Sequence, residues 1–242
     1  MKVVGIIPSR YASSRFPGKP LIDLNGKSMI QRVYEGTLKS KNLDQVIVAT
    51  DDQRIFDHVK SFGGNVQMTR SEHPSGTDRC GEIAAKIDAD VIINIQGDEP
   101  LIDARQIDQV IAAFHDESVQ IATLGTHSIS QEDVHNANRI KIVTDIRNNA
   151  LYFSRSAIPN AENYKGVPEE FYPFYKHIGL YAFRKTCLLE LIELEPTKLE
   201  QIESLEQLRW LYNGYSIRVI TTDIETPNID VPEDVEKVLP FL

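Results

Sequence analysis

The sequence predicts an α/β protein with a doubly wound, mostly parallel sheet, and three observations carry that prediction. Runs rich in Val and Ile recur at residues 3–7, 46–49 and 91–95. Each run is continuous rather than alternating, the pattern of a strand buried on both faces. Stretches with apolar residues at helical spacing separate the runs, and repeated strand–helix–strand order implies right-handed crossovers in an open sheet. Ligands of such sheets bind beyond the carboxyl ends of the strands.

The elements follow in order. Residues 29–41 place Ile30, Val33, Tyr34, Thr37 and Leu38 on one stripe, which predicts a helix after the first strand. A second helix covers 55–62 behind the caps Asp51 and Asp52, and a third covers 104–114 with Ile107, Val110, Ile111 and Phe114 on one face. After about residue 117 the rhythm changes. Residues 139–144 and 150–154 flank Arg147-Asn148-Asn149, a hairpin signal. The polar, proline-containing stretch 159–173 reads as a loop or arm, and 175–183 as a strand. Helical patterns follow at 185–194 and 199–212, then a strand at 217–222 and a closing helix at 232–239. No linker, repeat or low-complexity segment divides the chain. One α/β domain over 1–242, with a β-rich insertion or arm at about 139–183, is the simplest organisation.

Composition limits the functions. The chain has 242 residues, 41% hydrophobic and 25% charged, proportions that exclude disorder as the main state. No apolar run approaches the ~18–20 residues of a membrane helix. The opening MKVVGIIPSRY reads as a strand and turn rather than a secretion signal. Cys80 and Cys187 form no CxxC pair, which suits reduced thiols in a cytoplasmic setting. A net charge of −9 disfavours nucleic acid as a partner. Residues 1–32 run against that trend: Lys2, Arg10, Arg15, Lys19, Lys27 and Arg32 face one acid, Asp23. Local positive charge in an acidic protein suits a small anionic ligand.

That charge falls in the loop after the first strand, Pro8 to Pro20. Its small residues let backbone N–H groups approach an anion, while Arg10, Arg15 and Lys19 supply charge. A solvated basic loop is the plain alternative. Gly26-Lys27-Ser28 mimics the tail of a Walker A motif, but the required earlier glycine is Leu21, so a P-loop is rejected. GxGxxG is absent as well, which removes support for a dinucleotide oxidoreductase.

The second constellation, Asn94-Ile95-Gln96-Gly97-Asp98-Glu99-Pro100, ends the third apolar run. Asp98 therefore projects at the same sheet edge as the basic loop. A carboxylate there is a natural Mg²⁺ ligand, because Mg²⁺ is commonly bridged by one or two carboxylates to phosphates. Asp230 offers a second acid, although Asp before Pro232 also fits an ordinary helix N-cap.

Taken together, IIPSRYASSRFPGKPL, LNGKSMI, VATDD, SGTDR, NIQGDEP, ALYFSR, YKHIGLYAF, LEQLR and IDVPED run in order along nearly the whole chain. The set resembles the 3-deoxy-manno-octulosonate (Kdo) cytidylyltransferases, the CMP-Kdo synthetases of lipopolysaccharide assembly. The resemblance implies a nucleotidyltransferase fold, a homodimer, and the Mg²⁺-dependent reaction of CTP with Kdo. It implies that Arg10, Ser13 and Lys19 contact the CTP phosphates, with Arg10, Lys19 and Asp98 as the catalytic groups. Ser75, Gly76 and Gln96 would complete the nucleotide site. Arg79, His177, Tyr181, Glu206 and Gln207 would bind the sugar acid, and Asp98 and Asp230 the metal. The sequence departs from the family at Asn160-Ala161-Glu162-Asn163, where an aromatic and a short charged run are usual. The 8-amino analogue of Kdo, or another sugar acid, is therefore an alternative substrate. No residue pattern names a general base, and metal-assisted deprotonation of the sugar is the expectation. A metal-dependent glycosyltransferase and a non-catalytic nucleotide-binding regulator are the competing classes. The first would normally carry a DxD pair, whereas Gln96-Gly97-Asp98 holds one acid.

Overall fold

Strand β1 (Val3–Ser9) takes the middle of the sheet because residues 3–7 are buried without a break, leaving neither face for water. This computed structural model describes residues 1–12 and 16–242, with the backbone alone for Glu169 and Glu170. A small hairpin, β2 (Asp23–Leu24) and β3 (Lys27–Ser28), leads into α1 (Met29–Thr37). Then come β4 (Gln45–Thr50), α2 (Gln53–Ser61), β5 (Val66–Met68), α3 (Gly76–Lys86), β6 (Val91–Asn94) and α4 (Ala104–Ala112). The second half holds β7 (Ile121–Thr126), α5 (Gln131–His135), β8 (Lys141–Thr144), β9 (Ala150–Ser154), α6 (Pro168–Phe171) and β10 (Tyr175–Arg184). It closes with α7 (Lys185–Leu191), α8 (Lys198–Glu203), α9 (Gln207–Tyr212), β11 (Ile217–Thr221) and α10 (Asp234–Val238).

The main sheet runs β11-β7-β10-β6-β1-β4-β5, and β8 adds at β10 with β9 beyond it. The pairs β1–β4, β1–β6, β4–β5 and β7–β11 are parallel, while β10 runs antiparallel to β6 and β7. The sheet is thus mostly parallel, as the continuous apolar runs predict, with one reversed strand near its centre. The register of β10 against β7 slips between Ile178 and Tyr181. That irregularity turns the segment around Gly179 toward the neighbouring strand end.

Both faces of the sheet are covered. One buried cluster gathers Ile30, Val33, Ile55, Ile107 and Val110 from α1, α2 and α4 against β1, β4 and β6. The other holds Cys80, Ile83, Leu188, Leu208 and Trp210 from α3, α7 and α9 against the opposite face. Trp210 is 1% exposed and meets the Tyr181 and Phe183 rings edge-on. Emptying such a site costs about 3–5 kcal/mol.

Helix starts follow the capping rules. Ser28, Asp52, Ser75 and Asp103 each accept a backbone N–H of the helix that follows. The stretch 199–212 is not one helix. Thr197 and Glu200 form a capping box that starts α8, and Ser204, with φ of 51°, ends it before α9 begins.

The hairpin β8–β9 is anchored by Lys141, whose side chain is wholly buried. Its Nζ donates to the carbonyls of Asn136 (2.9 Å), Arg139 (2.6 Å) and Arg155 (2.7 Å). Burial lowers its pKa, and three carbonyl acceptors match the three ammonium protons. Glu203 then ties β9 to α8 by accepting from the Ser154 hydroxyl and the Arg155 N–H. Among the described residues, no helix is long and apolar enough to cross a membrane.

Candidate active site

At the carboxyl edge of β1 and β6 lies a cleft of about 550 Å³, lined by Pro8, Ser9, Arg10, Lys19, Gly76, Arg79, Gln96, Gly97 and Asp98 among others. The parallel pairing of β1 with β6 puts both strand ends on one side, as the fold rule requires. Glycine decides how closely the walls approach. A Cβ on Gly97 would stand 3.0 Å from the Pro8 carbonyl oxygen, and one on Gly76 would stand 3.1 Å from the Pro8 ring. Gly18, with φ of 75°, makes the turn that delivers Lys19, and a Cβ there would press on the Tyr11 ring.

Lys19 and Asp98 face each other across the cleft, Nζ to Oδ2 at 2.7 Å. Lys19 also donates to the Ile229 carbonyl at 2.9 Å, and the Ile229 N–H donates to the Asp98 carbonyl at 3.0 Å. Those bonds bring the 228–230 segment beside β6. Asp230 does not cap the last helix: Glu233 occupies the N-cap of α10 without a side-chain hydrogen bond. Its carboxylate instead accepts from Asn228 Nδ2 at 2.8 Å. Asp103, by contrast, caps α4 as an ordinary turn acid.

Glu99 shows how much negative charge gathers here. Burial first, then the Asp98 and Asp230 carboxylates, push its pKa up to about 8. Sequence reasoning missed this residue, because Glu beside Asp in a turn reads as solvated. Among the described residues no cage of three or more His, Cys, Asp or Glu side chains is present. Asp98 and Asp230, both near enough to Glu99 to raise its pKa, offer carboxylate oxygens of the kind Mg²⁺ takes.

The remaining candidates divide into two groups. Arg10, Gly76 and Gln96 line the cleft with Lys19 and Asp98. Arg79 lines it too, though its guanidinium is 2% exposed and turns to Asp51 (3.2 Å), the Thr69 hydroxyl and the Arg70 carbonyl. Ser13 and Arg15 lie outside the described residues.

His177, Tyr181, Glu206 and Gln207 form the second group behind α3. The His177 and Tyr181 rings lie 5.3 Å apart on one face despite the register slip between them. The His177 imidazole packs against the Phe153 ring and approaches the Thr123 hydroxyl at 3.0 Å. That desolvation pushes its pKa down to about 3, so the ring is neutral. The Tyr181 hydroxyl is buried with no hydrogen-bond partner among the described residues. Gln207 is buried at the start of α9. Three contacts join these regions. Gln96 Nε2 donates to the Gly179 carbonyl at the slipped register (3.3 Å), and Glu206 accepts from the Thr77 hydroxyl (2.7 Å) and lies 2.8 Å from the Ser75 hydroxyl at the start of α3.

A charged cleft at a parallel strand end, with buried polar side chains beside the start of α3, fits an α/β nucleotidyltransferase. A sequence model described as cytidylyltransferase matches residues 4–220. The 3-deoxy-manno-octulosonate cytidylyltransferase of Parabacteroides distasonis is 54% identical over 100% of this chain and 98% of its own length. The protein of the same name from Geotalea daltonii is 48% identical over 99% of this chain and 97% of its own. A solved CMP:2-keto-3-deoxy-manno-octonic acid synthetase, in complex with CTP, superposes with a TM-score of 0.93 at 43% identity, covering 100% and 98% of the two chains. A 4-diphosphocytidyl-2C-methyl-D-erythritol synthase from Anaerococcus prevotii, at 14% identity and a TM-score of 0.64 over 99% and 98%, shares the fold. The chain belongs to the 3-deoxy-manno-octulosonate cytidylyltransferase family. Membership separates it from the glycosyltransferase and regulator classes.

Proposed function

We infer that this enzyme transfers CMP from CTP to Kdo, giving CMP-Kdo and pyrophosphate for lipopolysaccharide biosynthesis. The observation that carries the reading is the Lys19–Asp98 pair at the carboxyl edge of the sheet. The anomeric hydroxyl of the sugar attacks the α-phosphorus as the bond to pyrophosphate breaks. Arg10 and Lys19 offset charge on the leaving phosphates, and Ser13 joins them in holding the triphosphate. Ser75, Gly76 and Gln96 set the nucleotide against the strand ends. His177, Tyr181, Glu206 and Gln207 hold the sugar acid, and neutral His177 keeps an imidazole donor or acceptor there without adding charge. Arg79, tied to Asp51, Thr69 and the Arg70 carbonyl, braces the cleft wall.

Asp98 and Asp230 would hold Mg²⁺, which when bound polarises a phosphate oxygen and lowers the pKa of a coordinated hydroxyl. The test is pyrophosphate release from CTP and Mg²⁺ with Kdo, its 8-amino analogue or no sugar. Release with Kdo alone supports the reading, release with only the analogue transfers it to that sugar, and no release with either removes it.

We also place a homodimer contact on the β8–β9 hairpin and the arm after it. Ile146, Leu151, Tyr164, Val167 and Phe171 are large apolar residues left exposed there, and Tyr164 stacks on Phe171 at 4.8 Å. Light scattering should give twice the chain mass, reduced to one chain mass in Leu151→Asp/Phe171→Asp. A monomeric wild type at assay concentration would remove the contact. The reaction is placed in the cytoplasm, where CTP is made and where the free thiols of Cys80 and Cys187 stay reduced.

A further inference from the structure

One hydroxyl at the junction of α3 and α9 serves two carboxyl groups. Ser75 Oγ lies 2.5 Å from Asp78 Oδ2 and 2.8 Å from Glu206 Oε1. It also accepts the Asp78 backbone N–H at 3.2 Å as the cap of α3. A serine hydroxyl has one proton to donate, and an ionised carboxylate has none. With both acids ionised, the proton of Ser75 reaches only one of them. The other then presents a charged oxygen to a lone pair at hydrogen-bonding distance, which repels.

One added proton gives both short contacts of Ser75 a donor and an acceptor. Glu206 Oε1–H donates to Ser75 Oγ, and Ser75 Oγ–H donates to Asp78 Oδ2. Glu206 Oε2 keeps the hydroxyl of Thr77 (2.7 Å), whose oxygen accepts from Asn94 Nδ2 (3.4 Å). Ser75 then uses its proton and both lone pairs.

We propose that Asp78, Ser75 and Glu206 share one extra proton, carried by Glu206, and that this protonated link positions the sugar wall against the nucleotide wall. The positioning half rests on the functional reading above, in which the start of α3 serves the nucleotide and the start of α9 the sugar acid. Asp78 and Ser75 are positioning residues that act through Glu206. The proton also leaves Glu206 uncharged beside the carboxylate of an acidic sugar.

The surroundings favour the neutral acid. Burial is the main influence raising the Glu206 pKa, and Asp78 adds to it, against the Thr77 and Ser75 hydrogen bonds. The other ionisable groups facing it are Cys80 on α3, Tyr181 on β10 and Arg209 on α9. Burial holds Cys80 and Tyr181 in their neutral forms. Arg209 is committed to Glu200, with Nε and Nη2 at 2.8 and 2.5 Å from its two oxygens.

Infrared difference spectra of the substrate-free full chain, with and without ¹³C-glutamate, test the proton directly. Beside the band of protonated Glu99, a second protonated carboxyl carbonyl band should be present at neutral pH, shift with the label, and vanish in Glu206→Gln and at alkaline pH. Asp78→Asn should lose it as well, because the second negative charge is gone. Kinetics test the positioning. The Michaelis constant for the sugar acid should climb on the alkaline side, with a one-proton limb approaching tenfold per pH unit, while that for CTP stays flat. Glu206→Gln imitates the neutral acid, so it should bind the sugar with the alkaline limb removed, whereas Glu206→Ala should bind it poorly. Absence of any band removed by Glu206→Gln overturns the shared proton. An unchanged alkaline limb in Glu206→Gln overturns the positioning role. Because the spectra need no substrate, a failure of the sugar assignment leaves the proton test standing.

Discussion

The cleft and the α3–α9 junction handle charge in opposite ways. In the cleft, the Lys19 ammonium pairs with Asp98, and the Asp98 and Asp230 carboxylates lie close enough together to raise the pKa of buried Glu99. At the junction the acids are threaded through hydroxyls, and His177, tilted against the Tyr181 ring, is neutral. The difference teaches where chemistry and where shape recognition belong. A region with unbalanced charge is completed by a charged ligand, whereas one that has shed its charge holds a polyhydroxylated ligand by direction.

Asp98→Asn attacks the contrast at its strongest point. It keeps the shape and removes the charge, so turnover should fall by about a hundredfold, the scale of losing one group that stabilises transition-state charge. The melting curve should stay close to wild type. Wild-type turnover at limiting Mg²⁺ would show that the cleft charge has no catalytic part. Lys19→Ala should come next, weakening CTP by roughly thirtyfold, about 2 kcal/mol for a charged hydrogen bond. The sugar constant should hardly move, and the reverse result would exchange the two regions.

His177 gives the stability prediction. Its folded pKa of about 3 lies below the ordinary value of 6.5, so its stabilisation is complete above pH 6.5. It is lost as the pH falls toward 3, because the unfolded chain takes up the proton first. Between pH 7.5 and 5.5 this one group should remove about 1.4 kcal/mol, seen as a falling denaturation midpoint. His177→Asn should flatten that slope, and an unchanged slope would mean that the ring keeps its ordinary pKa in the folded protein. The smallest effect is expected from Gln207→Ala. An uncharged hydrogen bond is worth about 1 kcal/mol, so the sugar constant should rise about fivefold with CTP saturation intact. A change confined to CTP would erase the division between the regions.

Local pattern made half of this visible in the sequence. The strands β1, β4 and β6 stand out because their Val and Ile runs have two buried faces, and Asp98 stands out because it ends such a run. The helix α3 is hard to read, since it opens Gly76-Thr77-Asp78-Arg79 and buries those polar residues. The strand β7 is fully buried, yet its Thr123, Gly125 and Thr126 break the apolar run. The reversal of β10 follows from the path of the whole chain, which no window reveals. The Ser75–Glu206 bond spans 131 positions, and part of the raised pKa of Glu99 comes from Asp230 at the far end of the chain. Pairwise chemistry between distant segments has no local signature.

Lys141 can be viewed as a structural cation that is part of the polypeptide. Three carbonyls surround its ammonium at 2.6–2.9 Å, much as oxygens gather around a small bound ion. An ion on a covalent tether cannot be exchanged, diluted away or extracted by a chelator. The hairpin root should therefore keep its geometry in EDTA.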